Sequence, residues 1–288
     1  GLPKAEIEVM GYAPIIALAQ AGGYARRTRS IAYGAMAPFF ARGAALNDEL
    51  SQYFASFSVV VSYLYDPDHH FRENLERAGV ATLIECSHRI DENGSPAAEQ
   101  LAAPLSSLAL FLEGEQAWPI LSFQREGALD EALALLGGEE RYFALHPGSG
   151  SPRKNWPLVR WADVLHRLHE RYPEVRFLIT TGEAEDEGVA EFLRSLERSG
   201  LPVVVANRLS LPVVGAALSR CLLYLGHDSG ISHLAAAAGA PSVVLFGPTA
   251  SSVWAPPHPH VTVVEHATGS LKEITVDVVV QAALARLG

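Results

Sequence analysis

Hydrophobic and polar positions in the first hundred residues change repeatedly between the period of a strand and that of a helix. Residues 5–11, AEIEVMG, alternate as a strand does, and the following APIIALAQAGG is typical of a short helix that ends at glycines. Less regular strand patterns (TRSIAYG, SVVVSYLY, VATLIEC) then alternate with helix patterns (ELSQYFASF, FRENLERAG). This order predicts a parallel sheet with helices on both faces.

The second half of the chain repeats this alternation more regularly. A strand that ends at HPGSG precedes an amphipathic helix over residues 157–173, and further strand patterns follow: VRFLITTG, PVVVAN, CLLYLG, SVVLFG and HVTVVE. Repeated units of strand and helix imply right-handed crossovers and a doubly wound sheet. Residues 113–127 show no clear period, so we expect them to connect two lobes, residues 1–125 and 126–288.

Composition narrows the class of protein. Hydrophobic residues make up 49% and charged residues 19% of the 288 residues, as expected for a globular α/β protein. The formal net charge of -10 disfavours nucleic-acid binding. Cys86 and Cys221 are too few for a disulfide scaffold or a zinc site, which favours a reducing compartment. No window approaches the ~20 apolar residues that a membrane span needs.

Two glycine-containing loops are the strongest candidates for chemistry. Residues 146–157, HPGSGSPRKNWP, and residues 226–230, GHDSG, each lead from a predicted strand to the N-terminus of a helix. Ligands of open parallel sheets bind outside the carboxyl ends of the strands, and free amides at a helix N-terminus favour an anion. A phosphate could approach the backbone closely at four glycines: Gly148, Gly150, Gly226 and Gly230.

Neither loop alone would bind such a ligand tightly. One helix N-terminus contributes about 0.3–1 kcal/mol to a nearby charge, whereas micromolar binding needs roughly 8 kcal/mol. We therefore expect the two loops to converge and to add further contacts. Arg153 and Lys154 could supply charge-assisted hydrogen bonds to a diphosphate, and solvated loop cations are the alternative interpretation.

Asp228 has two candidate roles, because a carboxylate repels a neighbouring phosphate. It could cap the helix that follows, or it could bind sugar hydroxyls while Ser229 and Gly230 donate their amides to phosphate. We expect His233 on the buried side of the same helix. An acidic run after another strand, TTGEAEDEG at residues 180–188, could bind ribose hydroxyls or complement a helix dipole.

Together, the two loops resemble a known family. LHPGSGSPRKNWP and GHDSGISHLAAAAGAPSVVLFGPT are similar to the motifs of glycosyltransferase family 9, the heptosyltransferases of lipopolysaccharide core assembly, over residues 140–265. The resemblance implies an α/β fold of the GT-B type, with two Rossmann-like, doubly wound parallel-sheet lobes facing across a cleft. It also implies inverting heptose transfer, without metal or cofactor, from an ADP-activated nucleotide-sugar donor to a lipopolysaccharide core or other glycolipid acceptor.

The same resemblance implies the residues of the site. Lys154 and Asp228 would act in catalysis, with Lys154 contacting the diphosphate or the sugar. The substrate-binding residues would be Ser149, Gly150, Ser229, Gly230 and Thr249, with a ribose-binding acid at Glu185 or Asp186.

One departure from the family pattern concerns the general base. The family begins with a strand and a Gly-Asp loop whose Asp takes the proton of the acceptor hydroxyl. Residues 3–20, PKAEIEVMGYAPIIALAQ, resemble the second strand and helix of the family. We therefore expect the first strand and helix, with this Asp, to lie upstream of Gly1.

Other interpretations stay open. Residues 66–68, DPD, match the Asp-x-Asp metal signature of another glycosyltransferase fold, although Pro67 indicates an ordinary turn and adjacent His69 and His70 lack ligand spacing. A hydrolase is a rival, because both loops lack the G-x-S-x-G elbow but contain triad residue types: His146, Ser149, Asp228, Ser229 and His233. The chain could also bind a nucleotide sugar without transferring it, or use another nucleotide sugar.

The predicted acceptor side carries one basic cluster, YARRTR at residues 24–29. It could contact lipopolysaccharide phosphates, and a solvated surface is the alternative. Because the implied acceptor is a glycolipid, we expect a cytoplasmic protein with peripheral contact at the inner face of the inner membrane. We expect no nucleic-acid partner.

Overall fold

The computed structural model describes residues 5–32, 34–112, 118–123, 127–138, 141–182 and 187–288. The described residues before position 125 contain four short strands and four α-helices, in the order β1 (Glu8–Gly11), α1 (Ala13–Ala21), β2 (Arg27–Ser30), α2 (Asp48–Ala55), β3 (Val60–Ser62), α3 (His70–Arg77), β4 (Leu83–Glu85) and α4 (Ala97–Ala102). Two 3₁₀ helices, Gly34–Phe40 and Ala103–Leu108, accompany them.

The rest of the chain alternates strand and helix almost without interruption. Its elements are α5 (Ala128–Leu135), β5 (Tyr142–Leu145), α6 (Leu158–Arg171), β6 (Arg176–Thr181), α7 (Glu187–Arg198), β7 (Val203–Asn207), α8 (Leu211–Leu218), β8 (Leu223–His227), α9 (Gly230–Ala237), β9 (Ser242–Leu245), α10 (Ser251–Trp254), β10 (Val261–Val264) and α11 (Val276–Leu287).

Strands β5 to β10 form one parallel sheet in the order β10-β9-β8-β5-β6-β7. From β5 the chain builds β6 and β7 on one side, and it then crosses back to build β8, β9 and β10 on the other. The strand order therefore reverses between β5 and β8, which is the topological switch point where ligands of open α/β sheets bind.

The two faces of this sheet carry separate hydrophobic clusters, because side chains alternate along a strand. In β5, Tyr142 and Ala144 belong to one cluster, and Phe143 and Leu145 belong to the other. Every residue of β5 and β8 is buried. Such continuously buried strands are typical of a parallel sheet covered by helices on both faces, as the sequence predicts.

The first part of the chain differs from the continuous sheet that its pattern predicts. Strand β1 pairs in parallel with β2, and β3 pairs in parallel with β4, as two separate two-stranded sheets. No residue of these four strands is buried. Among the described residues each strand therefore has one neighbour, and the local core consists mainly of helix residues such as Leu50, Phe54, Phe71 and Leu75.

Contacts join the first part of the chain to the large sheet. Ala21 of α1 and Phe123 both belong to one hydrophobic cluster of that sheet. The Leu121 amide donates to the Ala237 carbonyl over 2.7 Å, and the Trp254 indole donates to Glu92 Oε2 over 2.8 Å. The division at residue 125 stays a prediction. In the part of the chain that the structure describes, no helix is both long and apolar enough to cross a membrane.

Gly226 tests the packing at the end of β8. An added Cβ would lie 2.4 Å from the Tyr224 hydroxyl oxygen and 2.8 Å from the ring carbon that carries it. The Tyr224 ring is buried, and its hydroxyl group is hydrogen-bonded to Ser232 over 3.0 Å, so it has little freedom to move. We expect Gly226→Ala to lower the free energy of unfolding by about 1–3 kcal/mol in a urea titration.

Gly230 is the matched control for this substitution. An added Cβ at Gly230 would meet no atom within 4 Å. Gly230→Ala should therefore change the free energy of unfolding by less than about 1 kcal/mol. Equal effects of the two substitutions would contradict the steric explanation.

Candidate functional site

The two predicted loops lie side by side at the switch point. Strand β5 ends at Leu145, and the amide of His146 donates to the Leu225 carbonyl of neighbouring β8 over 3.0 Å. The first loop then passes through a single helical turn at Pro152–Lys154 before α6 begins. Strand β8 leads within three residues into α9. The convergence of the two loops that the sequence analysis required is therefore present.

An ion pair joins the loops. Lys154 Nζ donates to Asp228 Oδ2 over 2.8 Å, and the Thr249 hydroxyl donates to the same oxygen over 2.7 Å. The Lys154 side chain is 30% exposed and the Asp228 side chain only 8%. The structure thus brings together three predicted site residues, from three separate segments, at one half-buried point.

The helix-capping role considered for Asp228 is wrong. The N-cap of α9 is Ser229, whose Oγ accepts from the Ser232 amide over 3.3 Å. Ser229 has the extended backbone and short hydroxyl side chain that an N-cap requires. The carboxylate of Asp228 lies one residue further from the helix and is used by Lys154 and Thr249 instead.

The loop glycines divide into two kinds. Added Cβ atoms at Gly150 and Gly230 would meet nothing within 4 Å, and at Gly148 the nearest atom would be 4.0 Å away. Protein packing does not require glycine at these three positions, and open space lies beside the backbone there. Gly226 is different, because it accommodates the Tyr224 ring. Its predicted role in phosphate approach is replaced by a packing role.

Two polar residues of the first loop have contrasting surroundings. The Ser149 hydroxyl group is engaged inside the loop, where it contacts Asn155 Oδ1 at 2.6 Å and the Ser151 carbonyl at 2.8 Å. It therefore helps to shape the loop that carries Lys154. Arg153 is exposed and has no ion pair among the described residues. The alternative of a solvated cation fits Arg153 and does not fit Lys154.

His227 was not singled out by the sequence analysis, although it lies between the two loops. It is fully buried at the end of β8. Its Nε2 accepts hydrogen bonds from the Trp156 amide over 2.8 Å and from the Trp161 indole over 3.2 Å. Burial lowers the pKa of His227 to about 3, and the backbone of Gly148 opposes this decrease. The available signal was its place at the end of the apolar strand CLLYLGH.

The other histidines near the loops do not form a hydrolytic triad. His146 Nδ1 lies 2.9 Å from the Thr180 carbonyl oxygen, and burial lowers the pKa of His146. Across the residues described, no hydrogen bond joins Ser149 or Ser229 to a histidine side chain. The geometry therefore gives no support to a hydrolase.

The prediction that His233 is buried is wrong, because its side chain is exposed. The surrounding protein still lowers its pKa by removing part of its hydration, while the charge of Asp228 raises it and that of Lys154 lowers it. His233 is thus close enough to sense both members of the ion pair. It lies at an accessible position beside the site and does not belong to the helix-sheet core.

The remaining predicted positions are the acidic run and the basic cluster. Glu185 and Asp186 lie outside the described residues, so their assignment to a ribose stays a prediction. In the basic cluster at residues 24–29, Arg26 pairs with Glu6, and Arg29 lies over the Tyr53 ring at 4.3 Å. Those two side chains therefore have local partners.

The Asp-x-Asp segment has a structural explanation. Asp66 accepts hydrogen bonds from the amides of Phe71 and Arg72, over 3.2 and 2.9 Å, and thereby caps α3. Ligand atoms of Asp66, His69 and Glu85 lie within 4.8 Å of one another. Arg72 also donates to Glu85 over 2.7 Å, so a cation already neutralises part of this cluster.

The sequence and the fold were compared with known proteins. The family model glycosyltransferase family 9 (heptosyltransferase) matches residues 73–280. Lipopolysaccharide heptosyltransferase 3 of Escherichia coli is 28% identical over 156 residues, which cover 53% of this chain and 44% of that protein. The chain therefore spans less than half the length of this relative. The family match confirms the resemblance carried by the two loops.

Solved structures agree with the family match. The E. coli ADP-heptose lps heptosyltransferase II superposes with a TM-score of 0.75 at 19% identity, covering 99% of this chain and 90% of that one. E. coli heptosyltransferase WaaC with ADP has a TM-score of 0.63 at 16% identity, covering 99% and 91%. At these identities the similarity concerns the fold, and it confirms the predicted α/β class of the GT-B type.

The buried His227 predicts a pH dependence of stability. An unfolded histidine has a pKa of about 6.5, whereas native His227 has one of about 3. Between these values the unfolded chain binds more protons, so stability decreases as the pH falls, by at most about 1.4 kcal/mol per pH unit for one group.

His227→Gln removes this titration. We expect the free energy of unfolding, measured with urea, to fall less in this variant than in the wild type between about pH 7 and about pH 5. Other histidines titrate in both proteins, so the difference isolates residue 227. Parallel pH profiles would show that the native imidazole is not held neutral.

Proposed function

Because this chain belongs to glycosyltransferase family 9, we propose that it transfers heptose from an ADP-activated donor to a lipopolysaccharide core acceptor. Relatives that carry the name heptosyltransferase, and a solved relative described with ADP, support this donor and acceptor. The observation that carries the proposal is the Lys154–Asp228–Thr249 cluster, which lies where the two loops meet at the switch point.

Lys154 is proposed to stabilise the leaving diphosphate. Its ammonium group is half-buried and already oriented by Asp228. A preorganised cation is most effective where negative charge develops in the transition state, here on the oxygen between the anomeric carbon and the diphosphate. A flexible, solvated lysine would first have to be ordered, so the ion pair lowers that cost.

Asp228 is proposed to have two roles: it orients Lys154, and it positions the sugar. Both described hydrogen bonds to its carboxylate reach Oδ2. In the part of the chain that the structure describes, Oδ1 has no hydrogen-bond donor, so it could accept one from a sugar hydroxyl. Oδ2 would then accept a hydrogen bond from Lys154, and Oδ1 would accept one from the sugar. Because Lys154 neutralises the carboxylate, no unpaired negative charge would face the phosphate.

The loop backbones are proposed to hold the phosphate oxygens. Open space beside Gly150 and Gly230 leaves room for a ligand at the backbone. The eight-residue helix α9 begins at Gly230, so its free amides and its dipole favour an anion there. Ser149 and Ser229 would act through this backbone, and Glu185 or Asp186 would bind the ribose.

The proposed reaction is a single in-line displacement. The acceptor hydroxyl oxygen forms a bond to the anomeric carbon as the bond from that carbon to the diphosphate oxygen breaks. ADP leaves with the electron pair, the hydroxyl proton passes to a base, and the configuration at the anomeric carbon inverts. Lys154 and the α9 N-terminus would provide the positive charge that a metal supplies in other enzymes. None of the described residues is assigned as the base.

The location of the protein is part of the same proposal. A glycolipid acceptor is held in a membrane, whereas a nucleotide sugar is a water-soluble donor. We therefore propose a cytoplasmic protein that contacts the inner face of the inner membrane peripherally.

The donor assignment predicts a nucleotide preference. Calorimetric titration of this chain should give tighter binding of ADP than of UDP or GDP. Lys154→Ala should weaken ADP binding about tenfold or more, because a charge-assisted hydrogen bond contributes about 1.5–3 kcal/mol. In a transfer assay with an ADP-heptose donor, the same substitution should reduce turnover about 10²- to 10³-fold.

Lys272→Ala is the matched control, because the Lys272 side chain is exposed and only its backbone carbonyl has a hydrogen bond, from Arg160, among the described contacts. It should leave ADP binding and transfer unchanged. Preference for UDP or GDP would contradict the donor assignment, and unchanged turnover in Lys154→Ala would remove this lysine from the mechanism. Binding of ADP without any transfer would indicate a nucleotide-sugar-binding protein.

A further inference from the structure

His227 connects the two loops from inside the protein. We propose that it is a positioning residue, a neutral imidazole whose Nε2 lone pair holds the loop that presents Lys154 to the donor. The inference rests on the proposed function for its effect on the donor, and on hydrogen-bond chemistry alone for the state of the ring.

The partners of His227 define its tautomer. Nε2 lies 2.8 Å from the Trp156 backbone nitrogen and 3.2 Å from the Trp161 indole nitrogen. Both nitrogens carry a hydrogen and can only donate, so Nε2 must be an unprotonated acceptor. A neutral imidazole then carries its proton on Nδ1. In an imidazolium ring Nε2 would also carry a hydrogen, which would point at the N–H groups of Trp156 and Trp161 and repel them.

The second ring nitrogen, Nδ1, carries the proton in this tautomer. This atom is buried and has no partner at hydrogen-bond distance among the described residues. The backbone of Gly148, in the first loop, is the group that most favours a protonated ring. The hydrogen bond that joins His227 to the loop of residues 146–157 is therefore the one from the Trp156 amide to Nε2.

The position of His227 couples it directly to the ion pair. His227 and Asp228 are consecutive, and successive side chains of an extended segment point to opposite faces. His227 holds Trp156 in the interior, and Asp228 holds Lys154 at the accessible surface. The end of β8 therefore contacts the first loop twice, through His227 at Trp156 and through Asp228 at Lys154.

The surroundings of His227 make this connection rigid. Trp156 and Trp161 are almost fully buried, and their rings meet edge to face at 4.9 Å. The Trp161 ring also lies 5.3 Å from the His227 ring. If His227 loses its acceptor, the buried amide and the buried indole N–H are left unpaired, which is costly in an apolar interior. The loop would then shift, and Lys154 with it.

Substitutions can separate the acceptor from the bulk of the ring. The side-chain oxygen of glutamine can replace Nε2, so His227→Gln retains an acceptor for Trp156. Asparagine is shorter and places its oxygen near the position of Nδ1, so His227→Asn keeps polarity but loses that acceptor. His227→Phe keeps a ring of similar size and removes both nitrogens.

The first test concerns the ring itself and requires no ligand. In the full chain labelled with ¹⁵N-histidine, long-range ¹H–¹⁵N correlation spectra should show His227 as the neutral Nδ1–H tautomer at neutral pH. The His227 signal is assigned with the His227→Gln variant, whose spectrum lacks that signal. A ring protonated on Nε2, or on both nitrogens, would overturn the inference.

The second test measures the effect on the donor. Titration with ADP should show affinity reduced about tenfold or more in His227→Asn and His227→Phe, and within about threefold of the wild type in His227→Gln. His169→Phe, a half-buried histidine on α6 away from the loops, controls for the loss of an imidazole. Near-ultraviolet circular dichroism shows which variants are folded at the temperature of the titration.

The outcomes distinguish this inference from the proposed function. If wild-type protein binds no ADP, the donor assignment fails while the tautomer result is decided separately. If wild-type protein binds ADP and His227→Asn binds it equally well, the positioning role is wrong. If His227→Phe does not fold, the comparison of glutamine with asparagine still decides. A loss of ADP affinity in all three variants would show that an acceptor at the position of Nε2 is not sufficient to position the loop, and would overturn the inference.

Discussion

The parallel pairing of β5 with β8 is the constraint on which the site depends. Phe143, Ala144 and Leu145 pair in register with Leu223, Tyr224 and Leu225, so the first loop begins beside the last two residues of β8. The chain leaves these strands for opposite sides of the sheet. Two loops that are about eighty residues apart in sequence therefore open next to each other. Without this register, Lys154 and Asp228 could not meet.

Burial gives the site its chemical character. The ion pair is only partly accessible, and the residues behind it, His227, Trp156 and Trp161, are buried. A charge pair in such a position is weakly screened by water, so its orientation is maintained. The neighbouring neutral imidazole adds no competing positive charge. In the proposed donor site, the Lys154 ammonium group is thus oriented before the donor binds. An interior hydrogen-bond network holds the loop that carries this lysine.

Sequence patterns predicted much of the fold and several residues of the site. The strands and helices after residue 140, the two loops and the family resemblance all came from local periodicity and motif spacing. Side-chain direction was less predictable. Asp228 was considered as a cap, although Ser229 occupies that position, and His233 was expected in the core, although it is exposed. A difference of one residue at a loop changes which side chain faces the helix.

The sequence by itself determined the alternation of strand and helix, the glycine-containing loops at strand ends and the charges that they carry, because these depend on neighbours along the chain. Only the tertiary structure decided that Lys154 and Thr249 donate to the same oxygen of Asp228. It also decided that the Tyr224 ring leaves no space for a side chain at Gly226, and that His227 links the loops. Those contacts join residues far apart in sequence, and they arise from strand order and burial, which periodicity does not encode.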